Sequence, residues 1–277
     1  MMKTASARWI RFLIFIVLAI IALMAMYPLF FMAFSSMKPT IEYIKHPIAL
    51  PQTLYLDNYQ ALIYRFSLVR LFGNTALYVG LSMVACLAIS IPAAYAFAKL
   101  KFSFRNGAYV VMIATMTIPG VTFIIPNYLL MSKIGWTDHI VSVVVIWAVS
   151  AIPSTVFLLT SLMRGMPDEV LEAIKMDGAK YHQTMTKIIL PMSLPGVVTV
   201  SIFNATNWWN DLLTPLIYLQ SDHLKTVTVA VATVLNRFSS DYPLLLSGLL
   251  LSSLPPIAIY IIFQGYIRKG LVVGAVK

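Results

Sequence analysis

Six stretches of the chain run without Asp, Glu, Lys or Arg for longer than a soluble helix needs. They are Phe12 to Met37, Leu71 to Ala98, Asn106 to Ser132, Ile140 to Met163, Ile188 to Asn210 and Tyr242 to Ile267. About 20 apolar residues carry an α-helix across the hydrocarbon core of a bilayer. No water is available there, so each backbone must satisfy its own polar groups. The pattern predicts an all-α, polytopic membrane protein with six transmembrane helices, forming a single transmembrane domain over residues 1–277. A seventh apolar stretch, Thr226 to Asn236, is too short to span and reads as an interfacial or re-entrant piece. Lys3, Arg8 and Arg11 precede the first stretch as in a signal peptide. That stretch exceeds the usual apolar region of about 7–15 residues, so it reads as an uncleaved span. Pro92, Pro119, Pro126, Pro153, Pro195, Pro255 and Pro256 fall inside spans, where each removes a helix hydrogen bond and favours a kink.

Composition agrees with lipid as the solvent. Only 11% of residues are charged and 60% are hydrophobic, whereas soluble domains carry about 25% charge. The net charge of +10 raises nucleic acid as a partner. The basic residues lie between apolar runs, however, and the positive-inside effect accounts for them without it. With the N-terminus inside, thirteen of the 20 Lys and Arg residues fall on the cytoplasmic side, among them Lys99, Lys101, Arg105, Arg164, Lys180 and Lys187. Both termini are therefore expected in the cytoplasm. The single cysteine, Cys86, sits in an apolar run and allows neither an internal disulfide nor a cysteine-based metal site.

The cytoplasmic loop between spans four and five, residues 164–190, carries a distinct pattern. Pro167 suits a first helical position, and Asp168 and Glu169 suit the positive end of a helix. Val170, Leu171, Ala173 and Ile174 supply an apolar side, and Gly178 supplies a stop. A second short helix is expected from Ala179 towards Leu190, with Tyr181, Met185 and Ile188 at helical spacing and Pro191 opening span five. Two short helices with a glycine turn suit docking to a soluble partner. Physical reading alone leaves an ordinary surface hairpin equally open.

The same residues carry a resemblance. Glu172, Ala173 and Ile174, then Gly178, then Ile188, Leu190 and Pro191 fall at the spacing of the Glu-Ala-Ala loop of ABC importer permeases. Ile174 departs from the motif's second alanine. Further along, Asp57-Asn58-Tyr59 within Leu54 to Leu62, Asn74-Thr75, Ala93-Ala94-Tyr95-Ala96, Asp177-Gly178-Ala179, Trp209-Asn210-Asp211 with Pro215-Leu216, and the tail from Gly270 to Lys277 are similar to the maltose-type carbohydrate uptake branch. The tail resembles that of its second permease subunit.

The resemblance implies a multi-pass subunit of the bacterial cytoplasmic membrane that passes a carbohydrate, an oligosaccharide above all, by alternating access. It implies a second homologous permease, two ATPase subunits and an extracytoplasmic sugar-binding protein as partners. Glu172, Ala173, Asp177 and Gly178 are the expected ATPase-coupling residues. The chain has no phosphate-cradling Gly-x-x-x-x-Gly-Lys-Ser/Thr loop, so it is expected to hold no cofactor itself and to be no enzyme. ATP and Mg would be bound by the partner ATPase. The scattered His46, His139, His182 and His223 suggest no metal site.

Span five places Asn204 near mid-membrane, at about 1.5 Å of rise per residue, with Asn207, Trp208, Trp209 and Asn210 above it. Intramembrane amides are costly in lipid and usually face a cavity or the protein interior. Aromatic faces and amides suit a sugar, so Asn204, Asn207, Trp208, Asn210 and Tyr128, with Asn127, are the candidate substrate path. Trp at a membrane interface also has a purely structural explanation. The competing classes are an ABC permease for a polyamine or amino acid, a secondary transporter and an intramembrane enzyme. No acid lies deep in a span, as proton-driven carriers usually require, and no convergent catalytic set is evident.

Overall fold

The computed structural model describes residues 2–167, 169, 176, 178, 180–237 and 241–275, and among these the regular elements are helical. The long elements follow the hydrophobic pattern. They are α1 (Met2–Ser36), α4 (Leu68–Lys99), α7 (Ile140–Arg164), α9 (Leu190–Asn210) and α12 (Tyr242–Ala275). Shorter helices connect them: α2 (Thr40–Lys45), α3 (Asp57–Tyr64), α5 (Arg105–Ala114), α6 (Ile124–Lys133), α8 (Tyr181–Thr184), α10 (Leu213–Tyr218) and α11 (Val227–Arg237). Five helical segments are long and apolar enough to cross a membrane: Arg8–Ser36, Leu68–Lys99, Ile140–Arg164, Met185–Asn210 and Tyr242–Tyr266. The pair Arg105–Thr117 and Gly120–Lys133 makes a sixth if taken as one span.

That third span is not the straight helix the apolar run suggests, because its halves meet at 92°. The break is chemical. Ile118, ahead of Pro119, is extended at φ −85° and ψ 120°, the conformation to which a following proline pushes its neighbour. Thr115 and Thr117 donate to the carbonyls of Met112 and Ala114 at 2.6 and 2.7 Å, capping the end from within. Pro92, Pro153, Pro195 and Pro255–Pro256 sit inside helices that continue through them.

The chain divides into two compact units, Met1–Val69 with Ala230–Leu254, and Arg70–Val229 with Pro255–Lys277. In the first, the end of α1 is tied to the loop that follows it. Asn58 donates to the carbonyls of Ser36 and Lys38 at 2.8 and 3.0 Å, satisfying groups that a helix end leaves without partners. Lys38 is fully buried and donates to the carbonyls of His46 and Pro47 at 3.0 and 3.1 Å. These contacts give the Asp57-Asn58-Tyr59 motif a structural task. Earlier in α1, large apolar side chains from Trp9 to Phe30 are exposed on every side, which suits lipid or a partner chain.

In the second unit α7 is central. Val143, Trp147, Ala148 and Ala151 pack with Tyr78, Cys86, Trp208 and Tyr218. Val156, Leu159 and Met163 pack with Ala94, Tyr95, Ile189, Val197 and Val200. Gly196 permits the close approach of α9, since a Cβ there would overlap Leu162. The seventh apolar stretch forms α11, whose first residues to Val229 belong to this unit, with Val227 and Val229 buried.

Candidate functional site

Of the four expected coupling residues, Glu172, Ala173 and Asp177 lie outside the described residues. Gly178 has φ +73° and is exposed, with open space where a Cβ would stand. That left-handed backbone is one glycine enters without penalty, as expected of a turn between helices.

Both flanks of this loop are fixed to the membrane helices. On the entering side, Gly165 closes α7, and Lys99 at the end of α4 donates to the carbonyl of Met166 at 2.6 Å. On the returning side, the Gln183 side chain accepts from the Lys180 N–H at 2.9 Å, half of a capping box at the start of α8. The Tyr181 ring then lies 5.7 Å from that of Tyr95 on α4.

Pro191 opens span five as expected, but no break separates that span from the short helix before it. A π-turn, Met185–Ile189, joins α8 to α9, with Pro191 in the first turn of α9. A first-turn proline needs no N–H partner, and the wider turn alters the register. The buried residues here are Thr184 and Ile189 rather than Tyr181, Met185 and Ile188.

The path candidates on α9 fall on different faces. Asn204 is buried at 8% and donates to Thr155 Oγ1 on α7 at 3.0 Å. The Cys86 thiol donates to the same oxygen at 3.7 Å. Trp208 is buried and stacks on Trp147, with ring centres 6.1 Å apart and planes 9° apart. Asn207 and Asn210 are exposed, and Phe203 shares their face at the i, i+4, i+7 spacing. Asn210 Nδ2 donates to the Thr206 carbonyl at 2.9 Å. Tyr128 is 39% exposed and its ring lies 6.0 Å from that of Tyr218. Asn204 and Trp208 thus belong to the packed interior of the unit, whereas Asn207 and Asn210 do not. Phe203 was missed, though its spacing from Asn207 could have marked it.

The end of α9 is locked to α7. Asp211 accepts from the Trp147 indole at 2.7 Å and from the Thr214 N–H at 3.3 Å. Nearby, three residues of α4 hold one strand of loop. Asn74 donates to the carbonyls of His223 and Lys225 at 2.8 and 3.1 Å, and Tyr78 to that of Leu224 at 3.0 Å. Thr75 accepts from the Val227 N–H at 3.0 Å. Asp138 clamps the start of the same loop: it accepts from the Gln220 and Ser221 N–H groups, both at 2.8 Å, and from the Ser221 hydroxyl. These bonds, the Ser221 hydroxyl foremost, hold its carboxyl below the usual range. Among the described residues no cluster of His, Cys, Asp and Glu could hold a metal ion.

A long apolar helix set, a loop fixed at both ends to those helices and an exposed amide face on one span describe a transport subunit. The family described as "Binding-protein-dependent transport system inner membrane component" matches residues 86–273. The chain belongs to this family of ABC transporter permeases. It is 34% identical over 251 residues to the putative ABC transporter permease protein ORF2 of a Caldicellulosiruptor species, covering 90% of this chain and 91% of the relative. It is 31% identical over 257 residues to the arabinooligosaccharides transport system permease protein AraQ of Halalkalibacterium halodurans, covering 90% of each. It is also 31% identical, over 90% of its length and 91% of the relative's, to the multiple sugar-binding transport system permease protein MsmG of Streptococcus mutans. In fold it is similar to a chain from the crystal structure of a bacterial ABC transporter involved in alginate import, with a TM-score of 0.84 at 20% identity over 94% of this chain and 97% of that one.

Proposed function

We propose that this chain is the permease subunit of an ATP-driven importer that passes a carbohydrate, an oligosaccharide above all, across a bacterial cytoplasmic membrane by alternating access. One observation carries the substrate reading. Phe203, Asn207 and Asn210 form an exposed aromatic-amide face on a span whose other faces are packed. Amides at that depth are poorly placed against lipid, whereas a sugar offers them hydroxyl partners. The substrates for which AraQ and MsmG are named, arabinooligosaccharides and multiple sugars, support the same class. Asn204 and Trp208 would shape the path by positioning α9, with Tyr128 at its edge.

Energy enters from outside the chain. The partners are a second homologous permease, two ATPase subunits that bind ATP and Mg, and an extracytoplasmic sugar-binding protein. The binding-protein dependence for which the family is named supports the last. Glu172, Ala173, Asp177 and Gly178 are the coupling residues, and both termini lie in the cytoplasm. The fixed flanks at Lys99–Met166 and Tyr95–Tyr181 support this reading, because movement of the loop then reaches α4, α7 and α9 together.

The test is uptake by proteoliposomes that hold the chain with the proteins co-purified from its native membrane. Uptake of labelled oligosaccharide that requires internal ATP and external binding protein is expected. Uptake that ignores ATP and follows a proton gradient overturns the reading.

A further inference from the structure

The connection between α4 and α5 forms a feature apart from the candidate path and the coupling loop. Lys101, Phe102, Phe104, Arg105, Asn106 and Gly107 line an open pocket of about 320 Å³. Lys99 ends the preceding span, so the pocket lies at a membrane edge, on the same side as the coupling loop. Its wall is part aromatic and part cationic, with no acidic residue. Phe102 and Phe104 are exposed, Phe104 at 77%. Phe104 holds φ +65°, uncommon for a bulky residue. Its ring lies so close to Gly107 that a Cβ there would stand 2.7 Å from it.

The two pocket cations differ from the other basic groups at this edge. Arg164 lies over the Tyr109 ring at 4.8 Å, and Lys99 is bonded to the Met166 carbonyl. Lys101 is exposed on the pocket wall. Arg105 is steadied by one bond from Nη1 to the Leu100 carbonyl at 3.1 Å. A guanidinium has five N–H donors, so this bond leaves a fork able to meet a phosphate. The positive-inside bias explains why cations are here, but it does not call for a pocket or for an aromatic side chain on a left-handed backbone.

We propose that this pocket binds the headgroup phosphate of an anionic phospholipid. Lys101 and Arg105 meet the phosphate, while Phe102 and Phe104 rest at the boundary with the acyl chains. Basic pockets at the ends of membrane helices recognise such headgroups, and amphipathic or aromatic side chains settle at the same depth.

The full chain, purified with its partners, would be placed in nanodiscs of phosphatidylcholine doped with phosphatidylglycerol, and retained lipid counted by native mass spectrometry. Enrichment of phosphatidylglycerol is expected, falling about tenfold in Lys101→Gln/Arg105→Gln. Among the described residues Lys101 makes no bond to the chain, so Lys101→Gln alone should give part of the loss. Arg105→Lys should keep more than Arg105→Gln. Lys133→Gln, on an exposed cation at the end of α6, should leave the enrichment in place. Equal enrichment in the double variant overturns the proposal. So does displacement by millimolar inorganic phosphate, which would mark a free-anion site. Loss of the ATPase from the complex with lipid retained also overturns it, because the pocket would then be a protein contact.

Discussion

The indole N–H of Trp147 points at the carboxylate of Asp211 across 2.7 Å, joining the body of α7 to the residue that ends α9. The Trp147–Trp208 stack lies beside it. Two spans are therefore fixed at one height by a polar bond and a ring contact together. Asp211→Ala leaves a largely buried indole donor without its acceptor, at a cost of about 1–3 kcal/mol. Asp211→Asn keeps an acceptor oxygen and should cost less. Thermal unfolding in detergent, followed by tryptophan fluorescence, ranks the two. Equal midpoints for wild type and Asp211→Ala would contradict the role.

Thr75 tests the same principle on a buried backbone donor. Its hydroxyl gives its proton to the Leu71 carbonyl at 2.8 Å and accepts from the Val227 N–H. Valine has nearly the same shape but cannot accept. Thr75→Val should destabilise by about 1–3 kcal/mol, whereas Thr75→Ser should lose less. Hydrogen exchange at Val227 reads the effect directly, as faster exchange in the valine variant.

The faces of α9 predict a split between stability and transport. Asn204→Leu removes the bond to Thr155 and crowds a packed contact, so it should lower the unfolding temperature. Asn207→Leu and Asn210→Leu change an exposed face, so they should leave that temperature near wild type and reduce ATP-dependent uptake severalfold. Unchanged uptake in both exposed variants would remove the path assignment.

Gly178 sits at φ +73°, where a side chain adds strain of about 1–2 kcal/mol. Space for a side chain is open, so the backbone rather than a clash sets the penalty. Gly178→Ala should weaken coupling modestly, and Gly178→Trp should abolish uptake or retention of the ATPase. Full uptake with the tryptophan variant would remove the coupling role from this turn.

Asp138 predicts a pH dependence. Its folded pKa is lowered, by the Ser221 hydroxyl first and then by backbone donors. A lowered carboxyl pKa stabilises the fold above the unfolded value of about 3.9. That contribution fades as pH falls through the lower folded value. Wild type should therefore exceed Asp138→Asn in unfolding temperature at neutral pH, and the gap should narrow below about pH 4. A gap that is constant down to the acid limit would assign the effect to shape instead of charge.

The spans were legible in the sequence because lipid tolerates few alternatives to a long apolar helix. Gly178 was legible for a similar reason, since few residues suit a left-handed turn. The bend near Pro119 was harder to read, because Pro92 and Pro153 carry the same signal inside helices that continue. What separates them is the backbone at the break, where Ile118 is extended; Ser150 and Ser154 beside Pro153 make the same side-chain bonds as Thr115 and Thr117 inside a helix that continues. The faces of α9 could not be read from polarity. Asn204 and Asn207 are the same residue type, and only the position of Thr155 on α7 makes one of them an interior group. The π-turn likewise depends on how α8 meets α4, a contact between residues 86 apart in the chain.

Asn74, Thr75 and Tyr78 take hold of residues 223–227 through carbonyl oxygens and one N–H, never through a side chain. Such a grip is blind to which amino acids occupy the loop. His223 could be exchanged and its carbonyl would still be held, whereas Leu224 also packs against the core and Lys225 pairs with Asp222 at 2.7 Å. The mounting therefore leaves the identity of residue 223 open to drift or to design without rebuilding the helices that hold it.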